Sequence, residues 1–310
     1  MAERKPAFTL IELLVSISII GVLVSLLAPA LARVRSAARQ AKSLSNLRQV
    51  GIATGEYMSA NRNSPPFIPV YNWNRNSPLP GWETNLNMVK GFCTWTWAGK
   101  NNAQWWYDDA AAKRWDFAAQ RRPLNLYLGE YPFTRPANYD NFTEHHLRKE
   151  YEIPVLQDPT DRETYQREWW LNADRPKSTP GISSYDDVGT SYHFQLKWLD
   201  TAQELMGKAK ANLPHYTFRF GLRLLRIGVD SQPALQLLAN DQYADAVANA
   251  RASDYRIVNG YGDVNQSVML FFDLHAAYRR VTPGRLPESY VNGEYRMTVF
   301  DIPVAPSDLP

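Results

Sequence analysis

Apolar positions along this chain change register twice. From Leu10 to Ala32 the run LIELLVSISIIGVLVSLLAPALA is apolar on every side of a helix, with Glu12 as its one charge. At 1.5 Å per residue such a helix is roughly 34 Å long, enough to cross a bilayer. From Val34 the pattern narrows to a stripe, with Val34, Ala37, Ala41, Leu44, Leu47 and Val50 at spacings of three and four and basic residues between them. The stripe stops in SANRNSPP, where Asn61, Asn63, Pro65 and Pro66 end helices. A single helix is therefore predicted from about residue 9 to 60, roughly 75 Å long.

Beyond that helix the first stretch reads as loop, through NSPPFIPVYNWNRNSPLPGW and a tryptophan-dense segment GFCTWTWAGKNNAQWWYDD. Strands are predicted at SYHFQLKW (191–198), HYTFRFGLRLLRIGV (215–229), YRIVNG (255–260), QSVMLFF (266–272) and YRMTVFDI (295–302). By periodicity much of QPALQLLANDQYADAVANA is helical. Together these segments predict an α+β class: a long N-terminal transmembrane and stem helix packed on a mostly antiparallel β-sheet head with long loops.

Composition narrows the function classes. With 310 residues, 45% of them hydrophobic, and a mean hydropathy of −0.42, the chain is neither a polytopic membrane protein nor disordered. Cys93 is the one cysteine, so no intramolecular disulfide and no cysteine-based metal site can form. Residues 33 to 62 hold Arg33, Arg35, Arg39, Lys42, Arg48 and Arg62 against Glu56. Nucleic acid or anionic lipid would be attracted to such a stem, but a solvated helix face is the preferred reading. The remaining head is slightly acidic, and no nucleic-acid partner is predicted.

Candidate chemistry is sparse. None of His145, His146, His193, His215 and His275 falls in a two-ligand helix spacing, and no phosphate-binding, dinucleotide or nucleophile-elbow motif occurs. GYGDVN at 260–265 reads as a turn. The acids Asp108 with Asp109, Asp158 with Asp161, and Asp186 with Asp187 have no recognisable partner constellation. Cys93 reads as a small buried apolar residue. Trp95, Trp97, Trp105, Trp106, Trp169 and Trp170 read first as filler of a loop-rich core; the alternative is a glycan or partner surface, with Trp95, Trp97, Trp105 and Trp106 as its candidate residues.

An acid inside a bilayer costs up to about 3 kcal/mol at the helix centre, so Glu12 calls for a shallow position or a partner. A place near the membrane surface, at the positive end of the helix dipole, is one answer. The string KPAFTLIELLVSISIIGVL offers a second. It resembles the signature of type IV pilins and type II secretion pseudopilins, in which a basic leader is cut just before a Phe followed by TLIE. The resemblance implies a leader at residues 1–7, cleavage between Ala7 and Phe8 by a prepilin peptidase, and N-methylation of Phe8. The mature chain would be a helix over 8–62 and an extracytoplasmic head over 63–310. It further implies that Glu12 pairs with the terminal amine of a neighbouring subunit during filament assembly. Pro29 stands where these proteins often carry a helix-breaking proline, a kink or point of local melting as the subunit leaves the membrane. Ala7 departs from the family pattern, which usually has Gly there. Removal as an ordinary signal peptide, after Ala32, is the competing reading of the same segment.

Other fragments resemble the large-headed prepilin-type proteins abundant in planctomycetes: SLSNLRQVGIATGEYMSAN, RRPLNLYLGE at 121–130, QDPTDR at 157–162, PALQLLAND as a strand ending in Asp, and SVMLFFDLHAAYRRV at 267–281. Here the group's usual Cys-Pro-x-Asp is Asp158-Pro159-Thr160-Asp161, its Asp-Gly-His is Asp273-Leu274-His275, and a His it commonly carries is replaced by Asp263. The resemblance implies a structural filament subunit, with other pilin or pseudopilin subunits and the bacterial inner membrane as partners. It is expected to be single-pass with its head outside the cytoplasm, although Arg33, Arg35, Arg39, Lys42 and Arg48 after the span outnumber Arg4 and Lys5 before it and argue the reverse by positive-inside counting. No cofactor is expected. Some relatives bind calcium in C-terminal loops, and no motif here names its ligands. Two alternatives stand beside the filament: a minor pilin-like adhesin holding glycan or secreted cargo on its tryptophans, and a membrane-anchored enzyme, which predicts a concave pocket in the head.

Overall fold

A computed structural model describes residues 10–67, 70–71, 89–91, 93–109, 112, 115–128, 146, 148–167, 174–196, 198–199, 202, 206, 214–283, 290–291 and 294–295. Helix α1 runs from Leu10 to Ala60 without interruption, 51 residues including Pro29, about 76 Å of rod. Its end follows from the residues beyond it. The Asn61 side chain donates to the Tyr57 carbonyl at 2.7 Å, and Arg62 and Asn63 take left-handed backbone angles, φ 55° and 56°. Two prolines then exclude any further turn.

Four antiparallel strands form the central sheet: β1 (Tyr192–Phe194), β2 (Leu237–Asp241), β3 (Gln266–Phe271) and β4 (Ala276–Arg280), adjacent in that order. Alternation along β3 serves two cores. Val268 and Leu270 join Leu47, Val50 and Ala53 of α1; Met269 and Phe271 join Ala244, Val247 and Tyr243 of a helix behind the sheet. At Gly51 the stem comes so near β3 that a Cβ would lie 3.1 Å from Leu270 Cδ1. Glycine there sets the closeness of the helix to the sheet. Four shorter helical segments complete the order used here: α2 (Gln104–Asp108), α3 (Ser184–Val188), α4 (Pro214–Ser231) and α5 (Gln242–Asn249).

The predicted α+β class is what the structure shows, and α1 ends where the prolines and asparagines place it. Of PALQLLAND, Leu237–Asp241 forms β2 while residues 233–236 are a turn; α5 follows directly, with Asp241 as its N-cap accepting from the Ala244 amide at 3.1 Å. One predicted strand is a helix. Residues 215–229 lie in α4, because Phe218, Leu224 and Leu225 are buried while Arg219, Arg223 and Arg226, spaced four and three apart, are exposed. The segment 255–260 is a turn-rich loop with a single bridge, Val258 to Val264, instead of a strand. Of 295–302 only Tyr295 is described.

Candidate functional site

The helix supplies two different surfaces. From Leu10 to Val34 every large apolar side chain is exposed, from Leu10 at 80% to Leu31 at 49%. This is a helix long and apolar enough to cross a membrane. Its hydroxyls fit that use: Ser16, Ser18 and Ser25 donate back to the carbonyls of Glu12, Leu14 and Val22 at 2.8, 2.8 and 2.7 Å. No serine in the run therefore needs water. Glu12 lies in the first turn, where the helix dipole favours an anion. Pro29 is carried inside a continuous helix; its missing N–H withholds the usual donor from the Ser25 carbonyl. Ala7 and Phe8 lie outside the described residues.

From Ser36 onward the helix is gripped by the head. Ser36 Oγ donates to the Tyr261 carbonyl at 2.8 Å, and Asn46 Nδ2 to the Gln157 carbonyl at 3.0 Å. Between them Ser43 Oγ donates to Asp158 Oδ2 at 2.6 Å and takes the hydroxyl hydrogen of Tyr192, also at 2.6 Å. Tyr261 donates its hydroxyl to the same Asp158 oxygen. The other oxygen, Oδ1, accepts from the Thr160 amide and hydroxyl at 2.7 and 2.6 Å. Asp158 is thus buried with every donor around it fixed, and it ties the stem to β1 and to the 259–264 turn.

Two further buried carboxylates extend this joint. Asp161 accepts from the Ser184 and Tyr185 amides at the start of α3, from Ser191 Oγ and from Gln242 Nε2, all within 3.0 Å. Asp241 accepts from Ser267 Oγ at 2.9 Å and the Val268 amide at 3.2 Å in addition to its cap. Burial pushes the carboxyl of Asp161 up to about 6 and that of Asp241 up to about 8, the charge of Asp158 adding to both. Of the aspartates that looked unpartnered in sequence, Asp158 bonds the stem directly and Asp161 ties together the head elements behind it. The fragments SLSNLRQ, QDPTDR, LLAND and SVMLFF meet here, through Ser43 and Asn46, Asp158 and Asp161, Asp241, and Ser267.

The tryptophans form a second buried centre. Trp97 is 0% exposed and donates through Nε1 to the Tyr192 carbonyl; Trp95 and Trp106 pack ring to ring at 5.2 Å. Trp106 Nε1 donates to Asp187, which also accepts from Thr164 and Arg167. Arg122 runs through the cluster, donating to the carbonyls of Trp95 and Ala98 and to Asn102 Oδ1 at 2.9, 2.8 and 2.6 Å. Burial lowers its guanidinium to about 9. Gly99, at φ 135°, lies so close that a Cβ would be 2.3 Å from the guanidinium. Three of the four rings considered for a glycan or cargo surface are thus core, held by hydrogen bonds. Only Trp105 is partly exposed, and the Arg167 guanidinium covers its ring at 4.7 Å from the centroid. Burial raises the Cys93 thiol in the same cluster, as suits a packing residue.

One arrangement escaped sequence reasoning altogether. His193 Nδ1 lies 2.6 Å from Asp245 Oδ2 and its Nε2 lies 3.0 Å from Ser184 Oγ. These are the distances of a nucleophilic relay. Ser184 and His193 are both 0% exposed, and the Ser184 hydroxyl also faces the Thr190 carbonyl at 2.9 Å. The set pins α3 to β1 and α5. His275, next to Asp273 in the β3–β4 turn, stacks on Phe271 at 4.3 Å. His146 is exposed, while His145, Trp169 and Trp170 lie outside the described residues. Among the described residues no three His, Cys, Asp or Glu side chains converge as a metal site would need.

Residues 4–28 match a family model described as a prokaryotic N-terminal methylation motif. No curated protein and no solved structure matches the chain. The match covers the basic leader, the candidate cut at Ala7 and Phe8, Glu12 and most of the exposed apolar helix. It supports a pilin-type, membrane-anchored precursor that is processed at its N-terminus.

Proposed function

We propose that this chain is the membrane-stored precursor of a structural filament subunit, pilin or pseudopilin in kind, serving a type II secretion or type IV pilus-related machine. A prepilin peptidase cuts between Ala7 and Phe8, the new Phe8 amine is methylated, and the helix then passes from the inner membrane into a bundle of like helices. In the bundle Glu12 pairs with the Phe8 amine of a neighbouring subunit. A charge pair in an apolar bundle sets register, since any slip leaves two buried charges apart. The head stays outside the cytoplasm and decorates the filament, its joint with the stem transmitting position from helix to head.

The observation that supports this reading is the coincidence of the methylation motif with a helix whose first half leaves its large apolar side chains exposed. A signal peptide has no need to continue as one rigid rod into a docked stem. The test is intact mass and N-terminal sequencing of the protein from its native host. A chain beginning at methylated Phe8 is expected. One beginning at Met1 or Ala2, or cut after Ala32, would overturn the proposal.

A further inference from the structure

We propose that Arg35, Arg39 and Lys42 form a binding stripe for anionic phospholipid headgroups of the leaflet from which α1 emerges. The three cations stand at i, i+4 and i+7, so at 100° per residue they fall within an arc of about 60° on one flank of the helix. All three are exposed, whereas Ser36 and Ser43, about a quarter of a turn round, are held by the head. The head closes over this flank only from Asn46 onward, one turn beyond Lys42, and leaves the three cations uncovered. Between Glu12 and Glu56 the helix carries no acid to neutralise it. Among the described residues none of the three makes an ion pair.

Position selects the partner. The uncharged apolar run closes at Ala32, just ahead of Arg33, and at 1.5 Å per residue Arg35 lies about 4.5 Å and Lys42 about 15 Å beyond it. Headgroup layers extend roughly 5 to 8 Å on each side of the hydrocarbon core, so Arg35 stands among the phosphates. Long, flexible side chains bring Arg39 and Lys42 back toward them. Guanidinium groups offer paired donors that match a phosphate, and attraction to an anionic surface persists over about a Debye length. Contact on one flank fixes depth and rotation of the stored subunit, presenting the same helix face at each assembly step. The inference rests on α1 crossing the membrane; it does not rest on cleavage or filament formation.

The full chain is reconstituted in mixed phosphatidylcholine and phosphatidylglycerol vesicles, and spin-labelled versions of each lipid report which is enriched beside the protein. Labelled phosphatidylglycerol is expected to be enriched about threefold or more over phosphatidylcholine. The enrichment should vanish in R35Q/R39Q/K42Q and persist in R48Q, whose site lies farther along the stem. The unfolding midpoint of the head should be the same in all three. Equal association of both lipids, or enrichment that survives the triple substitution, overturns the proposal. So does loss of wild-type dimers in pure phosphatidylcholine on the triple substitution, which would assign the stripe to a second copy of this chain. Failure to insert into any vesicle abolishes both lipid signals and removes the membrane span along with the stripe.

Discussion

The two halves of α1 share one continuous hydrogen-bonded rod and are built on opposite rules. Leu10 to Val34 carries leucine, isoleucine and valine on all sides, and these side chains are exposed. From Ser36 to Ala60 the large apolar residues retreat to a narrow line, and the buried positions include Ser43, Asn46, Gly51, Ala53 and Thr54. A helix that must meet only lipid or copies of itself needs apolar surface without address. A helix that must meet one particular head needs small residues for closeness and hydroxyls for register. The first half therefore carries information for something outside the chain, the second for the chain's own fold. Substitutions in the two halves should have separable consequences.

The widest separation is expected from Glu12→Leu. Insertion and head stability should be unchanged, while incorporation into filaments, scored by shearing and immunoblotting, should fall more than about tenfold, because losing one partner of a buried pair costs about 3 to 5 kcal/mol. Normal incorporation would remove the pairing argument. Asp158→Ala is the mirror case. It strands the hydroxyls of Ser43, Tyr261 and Thr160 and the Thr160 amide in the interior, so urea unfolding should show a loss of about 3 kcal/mol with membrane insertion intact. If Asp158→Ala unfolds like the wild type, the joint does not hold the stem.

These contrasts also explain what could be read in advance. The apolar half announces itself locally, since 23 successive positions need no tertiary partner to be interpreted. The joint does not. Ser43, Asp158, Tyr192 and Tyr261 meet across separations of 115, 149 and 103 residues, and each alone is an ordinary polar residue. The His193 and Asp245 pair, 52 residues apart, is hidden for the same reason. In α4 the misreading is local. The alternation in HYTFRF imitates a strand, and the arginines at 219, 223 and 226 hold the helical period that the aromatics obscure. The tryptophans were legible as a cluster; their burial depends on Arg122 and Asp187, which no spacing connects to them.

The smallest effect is also the most diagnostic of the docked half. Asp161 and Asp241 have carboxyls raised to about 6 and about 8, above the value of about 3.9 for an unfolded aspartate. The folded state therefore holds these protons more tightly than the unfolded one. Below about pH 4 both states are protonated and the penalty of burying a charge is absent. It grows as pH rises and is complete above about 6 for Asp161 and about 8 for Asp241. Stability of the head should thus decline from pH 5 to pH 8, the reverse of ordinary acid denaturation. Urea titrations followed by tryptophan fluorescence across that range measure it directly, because Trp95, Trp97 and Trp106 are buried in the folded head. A stability that instead climbs toward pH 8 would mean that the amide and hydroxyl donors around Asp161 and Asp241 outweigh their burial, and that the joint is built to hold charge. Either slope belongs to the half of the molecule that folds on itself; insertion of the apolar half should be indifferent to it.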